Sequence, residues 1–261
     1  MANVIAVCNQ KGGVGKTTTA TALAQGLHKK GFRVLAIDMD PQASMSFCYN
    51  VDTDLEGSAY DGHPSVYDLM KHSATFEESV IQTPWGDLIP SSIDLSMADA
   101  EFMGQMGREN ILKRILSSKL DNYDWVVIDT PPNLSVMVFN AMTVATDIII
   151  PVNPGALSVK ALGQLKETID AVHDNSNPSL QVMGLLITKY SPTNNISKDY
   201  TDLLRETGSA VFGRTFKTAI RQSVAVEKAQ DTQVSIFDSS SKPGRDYETL
   251  IDEIIAIKEG E

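Results

Sequence analysis

The chain has 261 residues, 42% of them hydrophobic and 21% charged, with a formal net charge of −11. That length and apolar content suffice for one sizeable core, and the acidic balance argues against a protein that coats nucleic acid with its whole surface, though not against a local basic patch. The two cysteines, Cys8 and Cys48, form no C-x-x-C pair and join no histidine cluster. This argues against a disulfide framework or a structural zinc site and fits a reducing cytoplasm.

The opening "MANVIAVCNQ" holds an apolar run too short for a signal peptide, and no window approaches the ~20 apolar residues of a membrane span. Val4–Asn9 reads as a buried strand, followed by a glycine loop and a helix over Thr17–Gly31. Arg33–Asp38, Trp125–Asp129, Asp147–Val152 and Leu180–Thr188 are four more apolar strands rich in β-branched residues. Between them, Arg108–Leu120, Leu134–Ala145 and Ser158–Asp174 carry helical periodicity. The segment Glu248–Glu261 is amphipathic but acidic, so it reads as a final helix packed on the domain and not as a membrane-surface helix. Continuous apolar strands alternating with helices predict an α/β fold with a mostly parallel twisted sheet covered by helices on both faces. With no internal repeat and no Pro/Ser-rich linker, residues 1–261 are expected to form a single domain.

Two regions read as loose. From Val34 to Met70 there is no lysine or arginine, whereas Asp38, Asp40, Asp52, Asp54, Glu56, Asp61 and Asp68 all fall inside it. Its middle, Val51–Ser65, is a polar loop: a solvated insertion, or a surface for a partner. The second is the turn-rich stretch "DSSSKPGRD" before the last helix.

The chemistry concentrates in "NQKGGVGKTTT", Asn9–Thr19, which nearly fits the phosphate-loop pattern G-x-x-x-x-G-K-[ST]. Gln10 stands where the first glycine belongs, and a second lysine, Lys11, stands beside it. Gly12, Gly13, Val14 and Gly15 follow a strand and open a helix, so their backbone N–H groups can surround phosphate oxygens at the positive end of the helix dipole. Lys16 would reach the β and γ phosphates, and the Thr17 hydroxyl, with Thr18 beside it, would serve Mg²⁺ and nucleotide. The strand "WVVID" ends in Asp129, placed to hold Mg²⁺ through a water. "AIDMDPQ" ends a strand with two acids, of which Asp40 is assigned to orient the attacking water and Asp38 to support the metal site. A lysine five residues before Lys16 lies on the other side of the loop, where a second ammonium would act best as a removable one.

"KGGVGKTT", "IDMDPQ" and "VVIDTPP", in this order, resemble the deviant Walker A ATPases of the ParA/MinD group, P-loop NTPases of the nitrogenase iron protein type. "SVYDLM", "PPNLSVMVFNAMTVATDIIIPV", "AIRQSVAVEKAQ" and the late "SIFD" resemble the short, Soj-like ParA partition ATPases, and the similarity covers nearly the whole chain. The chain starts on its first strand, so the N-terminal helix-turn-helix region of longer plasmid relatives is expected to be absent. The resemblance implies that Lys11 reaches into the partner subunit's nucleotide, that ATP makes a homodimer, and that the dimer binds double-stranded DNA without sequence preference. It implies Mg²⁺-dependent ATP hydrolysis stimulated by a ParB-like centromere-binding protein, and a cytoplasmic, nucleoid-associated location.

For DNA the sequence supplies Arg205, Arg214, Lys217, Arg221 and Lys228 against Glu206 and Glu227. Arg214, Lys217 and Arg221 are the expected contacts. Soj-like relatives often read "IPRNVRLSEA" where this chain has "IRQSVAVEKA", so Gln222 and Ala225 hold the usual arginine places and Arg221 the proline's. The adenine is expected near Thr188, Lys189 and Tyr190, with the "SSKPG" loop. A ParA-like ATPase that positions a protein cargo is an alternative. A MinD-like membrane switch would need a basic C-terminal helix. An iron–sulfur protein would need cysteines after the phosphate strands, and a carboxylate-phosphorylating ligase would need a substrate cleft but no Lys11 in trans.

Overall fold

The computed structural model describes residues 2–260; Glu261, the end of the predicted final helix, lies outside them. Eight strands form one sheet: β1 (Asn3–Val7), β2 (Val34–Asp38), β3 (Ile81–Thr83), β4 (Gly86–Ile89), β5 (Trp125–Asp129), β6 (Asp147–Val152), β7 (Gln181–Tyr190) and β8 (Thr215–Arg221). Their order is β3-β4-β2-β5-β1-β6-β7-β8, and every neighbouring pair is parallel except β3–β4. The helices are α1 (Lys16–Lys29), α2 (Ser44–Cys48), α3 (Val66–Met70), α4 (Phe76–Ser79), α5 (Ala98–Phe102), α6 (Ile111–Leu116), α7 (Val136–Val144), α8 (Ala156–Asn175), α9 (Asn195–Phe212), α10 (Val224–Asp231) and α11 (Lys242–Glu259).

The reason for two covered faces is visible in β1. Its side chains alternate between two separate cores, so both parities must be apolar. Val4, Ala6 and Cys8 pack with Leu35, Ile37 and the buried faces of α6, α7 and α8. Ile5 and Val7 pack with Val34, Ala36 and the buried faces of α1 and α11. β1 has β5 on one side and β6 on the other, so the chain departs from it in both directions. The crevice at the carboxyl ends of such strands is where open α/β sheets bind ligands. No helix among the described residues is long and apolar enough to cross a membrane.

Four segments differ from the sequence expectation. Thr215–Arg221, read only for its charge, is a strand, because Phe216 and Ile220 are buried while the polar residues between them stay partly exposed. Ile81–Thr83 and Gly86–Ile89 form a tight hairpin whose turn is fixed by the Thr83 hydroxyl bonding the Gly86 carbonyl at 2.6 Å. The "DSSSKPGRD" stretch is half helix: Ser241 caps the Gly244 amide and α11 starts at Lys242, with Pro243 in its first turn, where a missing N–H costs nothing. The helix predicted over Arg108–Leu120 is shorter, α6 flanked by 3-10 turns.

α1 and α11 touch closely because Gly26 has no side chain. A Cβ there would fall 2.1 Å from Ile251 Cδ1 and 2.9 Å from Phe237 Cζ. Gly26→Val should therefore overpack this seam by ~1–3 kcal/mol. The expected result is a thermal midpoint lowered by roughly 2–4 °C for each kcal/mol, read by calorimetry; an unchanged midpoint would mean that the seam gives way freely.

Candidate active site

The loop between β1 and α1 is shaped by its glycines and tied down from behind. Gly13 and Gly15 have φ of 71° and 86°, the left-handed region that glycine enters without cost. Thr188, at the end of β7, donates its hydroxyl to the Val14 carbonyl at 2.7 Å, so β7 supports the loop. Lys16 is buried, and its ammonium donates to the Lys11 carbonyl at 3.3 Å across the loop. Burial lowers its pKa, opposed by the carboxylates of Asp129 and Asp40.

Lys11 lies elsewhere. Asn9 fixes its backbone, accepting the Lys11 amide at 2.9 Å and donating to Pro151 at 2.7 Å. The Lys11 ammonium bonds Asn153 Oδ1 at 3.1 Å and Ser158 Oγ at 3.2 Å, at the end of β6 and the start of α8. The two lysines thus serve different places in one protomer: one inside the cradle, one beside it. Asn153 and Ser158 carried no sequence signal beyond their position after an apolar strand.

The acids are set by register. β2 and β5 pair with Asp38 opposite Asp129, and β1 places Val7 opposite Asp129, so both carboxylates emerge at one level under the loop. Both are fully buried. Asp38 is nearly saturated: Oδ2 accepts from Ser46 N and Oγ, both at 2.8 Å, and Oδ1 from Asp40 N at 3.2 Å. Burial pushes its pKa up to about 6 in spite of these donors. These bonds order the turn after β2, whereas Asp129 has a coordination position to spare. Its Oδ1 accepts the Thr130 amide at 3.1 Å, and its Oδ2 is buried with no hydrogen-bond partner. The Thr17 hydroxyl lies near enough to lower the Asp129 pKa, but burial and the Asp38 charge dominate and raise it well above the usual range. An orphaned carboxylate oxygen facing a hydroxyl is a fitting seat for a hard cation. Among the described residues no group of three or more His, Cys, Asp or Glu could cage a metal. The residues present that would hold Mg²⁺ are thus Asp129 and Thr17.

Asp40 is mostly buried on the turn beyond β2, and its Oδ1 accepts the Gln42 amide at 3.0 Å. It lines a cavity of about 370 Å³ together with the glycine loop, Thr17 and Thr18. The cavity's far wall is Thr188 and Lys189, the β8–α10 turn Ile220–Ser223, and α10 itself. Thr188 and Lys189 therefore lie in it, but so do Arg221, Gln222 and Glu227, which sequence reasoning placed outside the nucleotide site. Of the "SSKPG" loop none lines it; the neighbouring Tyr247 does, with its hydroxyl 3.2 Å from that of Thr19. α10 is tied to α1 by Gln230 Nε2 donating to the Thr18 hydroxyl at 3.2 Å.

The three basic residues assigned to DNA are not brought together. Arg214 precedes β8 and Arg221 ends it, roughly 20 Å apart at ~3.3 Å per residue. Arg221 is held in a two-pronged pair with Asp246 of α11, Nε–Oδ2 2.9 Å and Nη2–Oδ1 2.6 Å. At Lys217 the side chain is exposed, while its amide is taken by Glu253 at 2.7 Å. Two acids of α11 thus cap the backbone of this edge strand and offset the local positive excess.

Comparison with known proteins places this site in a class. Residues 2–182 match a family described as an AAA domain. The chain is 31% identical to the chromosome-partitioning ATPase Soj of Treponema pallidum, over 98% of both chains. It is 34% identical to the chromosome partitioning protein ParA of Caulobacter vibrioides, over 97% of this chain and 94% of that one. Among solved structures, a putative plasmid partition protein of Borrelia burgdorferi bound to AMPPNP superposes with a TM-score of 0.83 at 27% identity, covering 99% and 100%. A cobyrinic acid a,c-diamide synthase of Mycobacterium smegmatis with a bound ATP analogue and magnesium gives 0.81 at 29%, covering 100% and 97%. The fold and site are those of a P-loop NTPase. The chain belongs to the AAA-domain family of ParA and Soj partition ATPases.

The orphaned carboxylate has a stability consequence. A carboxyl whose pKa is raised on folding makes its ionised form unfavourable in the native state. Its destabilisation is absent below the unfolded pKa, grows as pH rises from there toward the folded one, and is full above it. Asp129→Asn should therefore raise the thermal midpoint of nucleotide-free protein at neutral pH by a few degrees, at ~2–4 °C per kcal/mol, with the advantage shrinking on acidification. The same variant should lose the further stabilisation that Mg²⁺ adds to ATP. A midpoint at or below wild type at neutral pH would contradict the reading of Oδ2.

Proposed function

We propose that the protein is a Mg²⁺-dependent ATPase that dimerises on ATP, binds double-stranded DNA without sequence preference as the dimer, and is stimulated by a ParB-like centromere-binding protein. It would act in the cytoplasm, on the nucleoid, to partition a plasmid or chromosome. The observation that carries this reading is the separation of the two loop lysines: Lys16 sits in its own cradle, and Lys11 is held beside it on breakable bonds to two neutral side chains. A lysine so placed can leave for phosphate charge on a second protomer, as an arginine finger does.

Each residue then has a task. Gly12, Gly13, Val14 and Gly15 present backbone amides to the phosphate oxygens. Lys16 neutralises charge there, its buried ammonium already held toward the loop. Thr17 and Asp129 would hold Mg²⁺, with Asp38 fixing the neighbouring turn instead of ligating. Mg²⁺, when bound there, would supply charge neutralisation to the phosphates. Asp40, on that turn, would orient the attacking water. Thr188 and Lys189 line the cavity with the β8–α10 turn and would contact the nucleoside once the phosphates occupy the loop. For DNA, the single exposed Lys217 and Arg214 contribute weakly in one protomer, and dimerisation doubles them; phosphate contacts multiply in affinity. Arg221, paired to Asp246, adds little to them.

The likeness to a diamide synthase favours a second reading, a ligase that activates a small carboxylate. Turnover independent of DNA and of any protein partner would mark it.

The deciding experiment is binding to arbitrary duplex DNA with Mg-ATP and with Mg-ADP at ~0.1 M salt. Binding with ATP alone is expected; no binding with either nucleotide removes DNA from the reading. Two variants refine it. Lys11→Ala should abolish the ATP-dependent dimer in sedimentation, and a normal dimer would refute the trans role. Asp40→Ala should bind ATP, stall hydrolysis and accumulate the dimer; failure to bind ATP would make Asp40 a binding residue.

A further inference from the structure

The nucleotide cavity leaves the connection between α5 and α6 untouched: no residue of it lines the cavity. The connection begins with the loop Met103–Gly107, which projects two methionines into solvent, Met103 at 69% and Met106 at 96% exposure. Met106 is the most exposed large apolar side chain among the described residues. A methionine in such a place is a flexible, polarisable knob that adapts to many apolar surfaces.

The loop is stapled at both ends by arginine. Arg108 Nη1 donates to the Met103 carbonyl at 2.8 Å, and Arg114 Nη1 donates to the Gly107 carbonyl at 3.3 Å. Each guanidinium spends one N–H on the loop and keeps the others. Among the described residues no carboxylate pairs with either arginine, nor with the exposed Lys113 next to Arg114. Beneath the loop Phe102 is buried, and Asn140 of α7 donates to the Arg108 carbonyl at 2.7 Å while accepting the Leu112 amide at 3.0 Å. An apolar tip with a collar of unpaired cations is thus presented on a backbone that is already fixed, so little ordering is left to oppose binding.

We propose that this loop is a docking knob for an acidic, amphipathic helix of a protein partner, whose apolar stripe receives Met103 and Met106 and whose flanking carboxylates pair with Arg108 and Arg114. Shape sets the first half of the assignment. The loop projects, so the occupant supplies the hollow, and the apolar stripe of a helix offers one between each set of four side chains. Charge sets the second half. A guanidinium with free N–H groups matches a carboxylate through two parallel bonds, and complementary charge fixes the register of the helix on the knob. Duplex DNA and an anionic bilayer would also satisfy the arginines. Both, however, are extended anionic surfaces. They would bring like charge against Glu101 and Glu109, which flank the loop in sequence, and against a chain of net charge −11. A helix contacts the knob alone. The knob stands apart from the nucleotide cavity, so docking requires no nucleotide.

The test uses a labelled helical peptide of leucine and glutamate, with two controls: arginine for each glutamate, and serine for each leucine. Fluorescence anisotropy is read on the full chain with and without Mg-ATP, at ~0.1 M salt. The leucine–glutamate peptide should bind wild type equally in both states, and the controls should not bind. Met106→Ser and Arg114→Gln should each weaken it about tenfold, ~1.4 kcal/mol. Both side chains are exposed, and glutamine keeps a donor for the Gly107 carbonyl, so folding is not at stake. Absence of binding, undiminished binding by the two variants, or binding of the arginine control overturns the knob. Binding confined to one nucleotide state overturns its separation from the cavity. Binding to phosphatidylglycerol vesicles or to duplex DNA that Arg114→Gln abolishes, with the peptide ignored, would assign the collar to phosphate and also overturns it. So does loss of the ATP-dependent dimer in Met106→Ser, which would make the loop a contact between copies of the chain. A protein that binds the peptide but never hydrolyses ATP would defeat the ATPase reading and leave the knob standing.

Discussion

The register of three parallel strands governs everything at the site. β1, β2 and β5 end at the same level, so the glycine loop, Asp38 and Asp129 converge without any long-range adjustment of side chains. The cost is two buried carboxylates side by side. Asp38 meets that cost with three donors, two of them from Ser46, whose hydroxyl is itself held by the Ser91 amide at 3.0 Å. Asp129 does not meet it, and its unpaired, buried oxygen is unfavourable in the nucleotide-free protein. A strand end that is destabilised when empty and satisfied by a cation makes binding energy and folding energy the same quantity.

The same economy runs through the lysines. Lys16 is buried among opposite charges, so it cannot leave without exposing Asp129 and Asp40 to one another. Lys11 is bonded only to the neutral Asn153 and Ser158, so its departure strands no charge. A cation that moves between partners should be held by groups that can reform bonds with water. The two lysines thus differ in what their release would cost: Lys16 sits among opposite charges, whereas Lys11 is bonded to neutral groups.

How much of this was legible follows from which interactions are local in sequence. The glycine loop, the strand-terminal acids and the helix behind them could be read, because each is a short pattern whose geometry its own residues enforce. The five central strands could be read because burial on both faces leaves an unbroken apolar run. β8 could not, since it is an edge strand with only Phe216 and Ile220 buried, and its charged residues masked its period of two. The fate of Arg221 was hidden for a related reason: its partner Asp246 is 25 residues away and reaches it only once α11 packs along that edge. Nor could the sequence separate Asp38 from Asp129, since the difference lies in Ser46, eight residues downstream and brought back by a turn.

That last difference bears on how the site is controlled. Asp38, Asp40, Gln42 and Ser46 form one bonded unit around the turn after β2, with Ala43 in a strained backbone conformation at its centre. A strained turn persists only where its surroundings over-determine it. Here the constraints are two buried carboxylates, of which Asp38 has its pKa raised to about 6. Asp40 of that unit, with Ser44 beside it, lines the cavity shared with the glycine loop. A ligand that contacts Asp40 therefore acts on the same set of bonds that holds this turn, without any need for a long pathway.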